Sequence, residues 1–124
     1  MASNLATMRL LAALRATRVA ASADIDAVVS DVYEAVSARG DAPKSGTGRF
    51  KGTCRLTDPL DHKVFAKKLA SIMKKHNGKR QVGKHQWDSL VADAYFYEFV
   101  VNRNVFTFAL YEEDRELEVT VDPA

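Results

Sequence analysis

Residues 95–121 read YFYEFVVNRNVFTFALYEEDRELEVTV. Tyr95, Tyr97, Phe99 and Val101 alternate with Phe96, Glu98 and Val100 until Asn102-Arg103-Asn104 breaks the run. Phe106, Phe108 and Leu110 then line one face of a second strand, with Thr107 and Tyr111 among the residues opposite. Glu112 to Arg115 make a further turn, after which Leu117, Val119 and Val121 alternate with Glu116, Glu118 and Thr120. A period of two, interrupted twice by turn-forming residues, predicts a three-stranded antiparallel meander with one wet face. Just upstream, Trp87 to Ala94 fits either a helical turn or a leading strand.

Before the meander the period lengthens. Asp58-Pro59 with Asp61 reads as a helix start, with Asp58 as cap and Pro59 in the first helical position. Phe65, Leu69, Ile72 and Met73 fall on one arc and must face a core, while Lys63, Lys67 and Lys74 share the opposite side and Lys68 and Lys75 extend it. Gly78 is the expected stop. Residues 41–53, opened by Gly40, read as a Gly-rich loop, and a short strand is expected from Thr53 to Thr57. Ile25, Val28, Val29, Val32 and Val36 mark an earlier amphipathic helix, capped by Ser22 and closed at Gly40.

Residues 1–23 hold three arginines and no acid among Leu, Ala, Ser and Thr. That composition suits a mitochondrial targeting segment over residues 1–22, or a retained first helix that pairs with the second as a hairpin. The expected fold is a single α+β domain over residues 1–124. An N-terminal helical hairpin (1–40) and the Gly-rich loop precede residues 54–124, which hold the basic helix and the sheet, with the helices on one face of that sheet.

With 124 residues and 47% hydrophobic content, the chain can build one core without staples. One cysteine, Cys54, leaves no disulfide framework and no cysteine cage for zinc. No apolar run reaches the roughly 18 residues a membrane span needs. An intracellular protein follows, cytoplasmic in the first instance, or mitochondrial if the N-terminal segment is a targeting one.

A formal net charge of +2 conceals strong segregation. Residues 1–43 carry −1, residues 44–85 carry +10 and residues 86–124 carry −7, and no acid stands between His62 and Gln86. Nucleic-acid binding needs several cations at phosphate spacing, and the lysine face of the helix at Lys63–Lys75 supplies them. The candidate contacts are Arg49, Lys51, Arg55, Lys63, Lys67, Lys68, Lys74, Lys75, Lys79, Arg80 and Lys84. An ordinary solvated helix face is the bland alternative, although such faces usually alternate in sign.

The loop at Ser45–Gly52 matches neither the P-loop nor the dinucleotide fingerprint. Seven of the eleven aromatics lie between Tyr95 and Tyr111, where they suit a small sheet's core better than a base-stacking platform beside Glu98, Glu116 and Glu118. The spacing of His62, His76 and His85 matches no zinc pattern, and no Ser-His-Asp or paired-carboxylate motif stands out. The expected function is therefore a small non-enzymatic protein with no cofactor and no metal. It binds nucleic acid, RNA in preference to DNA, or another polyanion, with little sequence specificity because lysine lacks the forked geometry that reads guanine. The alternative is a structural or adaptor subunit of a protein assembly, joined to acidic protein surfaces or to itself through its basic and acidic faces, with no membrane partner.

Overall fold

Tyr97 in the middle of the alternating stretch sets the register of the sheet. It stands opposite Phe108, Phe108 opposite Val119, and Val119 opposite Gly52. The computed structural model describes residues 25–40, 50–80 and 87–123. The expected first helix, most of the Gly-rich loop, and the candidate contacts Arg49 and Lys84 lie outside the described residues.

The protein is α+β. Helix α1 covers 25–35 in the described chain. It is followed by β1 (Ala38–Gly40), β2 (Phe50–Leu56), α2 (His62–Lys75), β3 (Lys79–Arg80), β4 (Ser89–Val91), β5 (Ala94–Val101), β6 (Asn104–Tyr111) and β7 (Glu116–Pro123). All pairings are antiparallel, in the order β1-β2-β7-β6-β5-β3, with β4 joining β5 beside β3.

The sheet is thus larger than the three strands expected. After β7 closes on β6, its other edge is open, and the alternation of Lys51, Thr53 and Arg55 outward with Gly52, Cys54 and Leu56 inward lets β2 pair there. Residues 50–52, read as loop from their Gly content, belong to that strand. Its bounds are Phe50–Leu56 and not Thr53–Thr57. On the other side, Ser89–Val91 resolves as a leading strand, joined to β5 by Ala92 and Asp93 with φ of 50° and 68°. Asn102 and Arg103, at 52° and 74°, close the β5–β6 hairpin in the same way, as two-residue type I′ turns require.

Two helix ends also differ from expectation. The earlier helix stops near residue 35, not at Gly40. Ser37 takes the left-handed position (φ 53°), its N–H bonded to Glu34 O, and Gly40 pairs with Cys54 in β1. Helix α2 is capped by Asp61, not Asp58: the Asp61 carboxylate accepts from Lys63 N at 2.6 Å and from Val64 N at 3.4 Å. Leu60 just before this cap and Phe65 four residues into the helix both join the core, the staple arrangement that sets the entry of the chain. At the other end Asn77 is left-handed (φ 56°), with Asn77 N–H on Lys74 O and Gly78 N–H on Met73 O. Gly78 is needed for space: a Cβ there would sit 2.7 Å from Met73 Cγ and 3.0 Å from Val101 Cγ2.

One face of the sheet carries the core. Tyr97, Phe99, Phe106, Phe108, Leu110, Leu117 and Val119 are completely buried beneath Val28, Val29 and Val32 of α1 and Phe65 and Leu69 of α2. Burying each such side chain contributes roughly 1.5–3 kcal/mol. Phe65 sets its edge against the Tyr97 ring at 5.2 Å and 89°, which fixes α2 over β5.

Candidate nucleic-acid interface

Helix α2 is amphipathic, and its polar side divides in two. Phe65, Leu69 and Ile72 define the buried direction. Lys63, Lys67 and Lys74 point the opposite way within about 40° of one another, given about 100° per residue. All three are exposed, and none has an ion pair among the described residues. From first to last they span about 16 Å at about 1.5 Å per residue.

Lys68 and Lys75 sit on a different flank and turn to α1. Lys68 Nζ donates to Ala35 O at 2.7 Å, satisfying a carbonyl at the C-terminus of α1. Lys75 Nζ lies 3.0 Å from Asp31 Oδ2, and His76 Nε2 lies 2.7 Å from the same oxygen. The His76 hydrogen bond, followed by that of Lys75, holds the Asp31 carboxyl below its usual value. These two lysines dock one helix on the other.

The remaining candidates scatter more widely. Lys51 and Arg55 are exposed on the sheet face away from the helices, where Lys51 Nζ pairs with Glu118 at 3.1 Å and Arg55 stands opposite Glu116. Glu98, Glu116, Glu118 and Asp122 alternate with core residues, so their register assigns them to that same face. Lys79 and Arg80 follow α2 directly, both exposed, and the Arg80 guanidinium carbon lies 4.5 Å from the centre of the Trp87 ring. The lysine stripe of α2 and the carboxylates of Glu98, Glu116, Glu118 and Asp122 therefore occupy opposite sides of the sheet, whereas Glu112 reaches the N-terminus of α2.

His62 and His76 each have an acidic partner, and His85 lies outside the described residues. His62 Nδ1 lies 2.6 Å from Glu112 Oε1, and its ring stacks on Tyr95 with centroids 3.8 Å apart. His62 and His76 are at opposite ends of α2, about 21 Å apart along its axis. Among the described residues no three His, Cys, Asp or Glu side chains gather as a metal site would need. Cys54 is buried, and desolvation pushes its thiol up to about 11, so little thiolate forms near neutrality. The Tyr97 hydroxyl lies 2.8 Å from His62 O and 2.7 Å from Asp88 Oδ1, and burial raises its pKa.

Sequence reasoning did not find the partners of His62 and His76, which lie 50 and 45 residues away. The only available signal was Asp31 on the polar side of the earlier helix. No helix among the described residues is long and apolar enough to cross a membrane. Comparison of the chain with protein-family models, with characterised proteins and with solved structures finds no match.

Proposed function

We propose that this chain is a non-enzymatic nucleic-acid-binding protein that contacts phosphates through Lys63, Lys67 and Lys74, with Arg80 at the end of the stripe. The observation that carries this reading is the exposure of those three lysines, without ion-pair partners among the described residues, on the side of the sheet away from Glu98, Glu116 and Glu118. Unpaired cations are the ones whose approach to phosphate releases counterions without first breaking a protein ion pair. Lys68 and Lys75 hold α1 in this reading, and Lys51, Arg55 and Lys79, which stands opposite Val100 on the Glu98 face, are separated from the stripe by the thickness of the sheet.

Specificity follows from what lies between the lysines. Helix α2 contains no Arg, Asn or Gln, the side chains that grip base edges in pairs of bonds. Point charges then track a backbone and read little of its sequence, which favours RNA of irregular shape over a particular duplex site. Filter binding of an unstructured RNA between 50 and 200 mM salt tests the reading. Three neutralised phosphates lower the affinity by about 20- to 40-fold over that range. A flat response would exclude phosphate contact.

A further inference from the structure

Arg80 stands opposite Phe99 in the register of β3 on β5, and Phe99 is a core residue of the helix-bearing face. The Arg80 side chain therefore emerges on the same side of the sheet as α2. Its guanidinium carbon is 4.5 Å from the Trp87 ring centre. Trp87 is fixed from behind, because its ring meets the Tyr97 ring at 5.1 Å and 82°, and Tyr97 is fully buried with its hydroxyl held between His62 O and Asp88. Arg80 itself is exposed and has no carboxylate partner among the described residues.

We infer that Arg80 on Trp87 is a stacking platform for one unpaired nucleobase, so that the ligand of the lysine stripe is single-stranded; this rests on the nucleic-acid reading above. A guanidinium lying on an indole has a second flat face, is weakly hydrated for a cation, and stacks on bases as aromatic rings do. Lys74, six residues upstream on the helix side of the sheet, carries the charge that holds a flanking phosphate. A duplex hides its base faces against one another, and only a single strand or a loop offers one to Arg80. Cation–π pairs also occur as purely structural contacts, about once per 70–80 residues. The exposure of Arg80 and its lack of an acidic partner among the described residues distinguish it from a buried brace.

Trp87 is the one tryptophan of the chain, so its emission reports on the platform directly. The test titrates full-length protein with a 12-nucleotide oligo(U) and with a 12-base-pair RNA duplex, for wild type, Arg80→Lys and Lys74→Ala. Oligo(U) should perturb Trp87 emission and bind about tenfold more tightly than the duplex. Arg80→Lys retains the charge and should lose that preference by weakening oligo(U) binding about tenfold, with duplex binding unchanged. Lys74→Ala should weaken both ligands equally. Equal binding of the two ligands, or an Arg80→Lys protein that still prefers oligo(U), would overturn the stacking role while leaving phosphate contact intact. Absence of binding to either ligand would overturn both.

Discussion

Glu112 and His62 are joined twice: Oε1 of Glu112 lies 2.6 Å from the His62 ring Nδ1 and accepts the His62 backbone N–H at 2.9 Å. The turn between β6 and β7 thereby pins the first residue of α2, whose next two amides are capped by Asp61. Two carboxylates at a helix N-terminus are favourable to the dipole. They also leave the lysines at the middle and far end of α2 without acids on their own face.

Removing that pin should loosen α2. Glu112→Ala leaves the His62 amide and ring without their acceptor, and is expected to cost about 1.5–2 kcal/mol, the lower part of the range for bonds to a charged group because Glu112 is partly solvated. Glu112→Gln retains an acceptor for the amide and should cost less. Urea unfolding monitored by Trp87 emission measures both, and equal stability of all three proteins would show that the contact is idle.

The Asp31 cluster makes stability depend on acid. Its carboxyl is held below the ordinary aspartate range, chiefly by the His76 hydrogen bond and then by that of Lys75. A depressed folded-state value contributes stability that is fully present above the unfolded pKa and is lost as the pH falls through the folded one. Unfolding midpoints should therefore decline below about pH 4. Asp31→Asn should be less stable near neutrality and show a shallower decline in acid. An unchanged acid slope in that variant would contradict the assignment.

Cys54 gives a chemical test of the β2 placement. Buried at 2% exposure, with its thiol shifted upward to about 11, it should resist alkylation at neutral pH in native buffer and react promptly in denaturant. Rapid labelling of the native protein would mean that β2 does not close on β7.

Lys68 separates docking from binding. Its Nζ donates to the Ala35 carbonyl, so Lys68→Ala should cost about 1 kcal/mol in stability. It should leave RNA affinity within twofold of wild type. Paired denaturation and binding curves read both effects, and a stable protein with lost affinity would reverse the role assigned to this lysine.

How much of this was legible from sequence follows from the range of each interaction. Alternation at Tyr95–Val101 and the 3.6-residue period of Phe65, Leu69 and Ile72 are local consequences of burying one side, and they are visible in any window that contains them. The end of α1 was not visible. Val36 continues the apolar stripe, so nothing nearby distinguishes one more helical turn from a left-handed Ser37 followed by β1, and that choice is made by β2 arriving from a distance. Residues 50–52 were masked in the same way by Gly52, which fits a loop until Val119 is placed opposite it. At the candidate site, the outward stripe of Lys63, Lys67 and Lys74 follows from the helical period alone. The diversion of Lys68 and Lys75 to α1 does not, because it depends on where Ala35 and Asp31 come to lie.

The most direct measurement of the central claim is the salt dependence of RNA affinity for wild type, Lys67→Ala and the triple variant Lys63→Ala/Lys67→Ala/Lys74→Ala, with thermal unfolding recorded alongside. Each lost phosphate contact should lower the slope of log affinity against log salt by about 1, so the single variant falls by one step and the triple variant by three. Their melting temperatures should stay close to wild type, because all three side chains are solvated. A triple variant that keeps the wild-type slope and affinity would contradict phosphate binding by this face of α2.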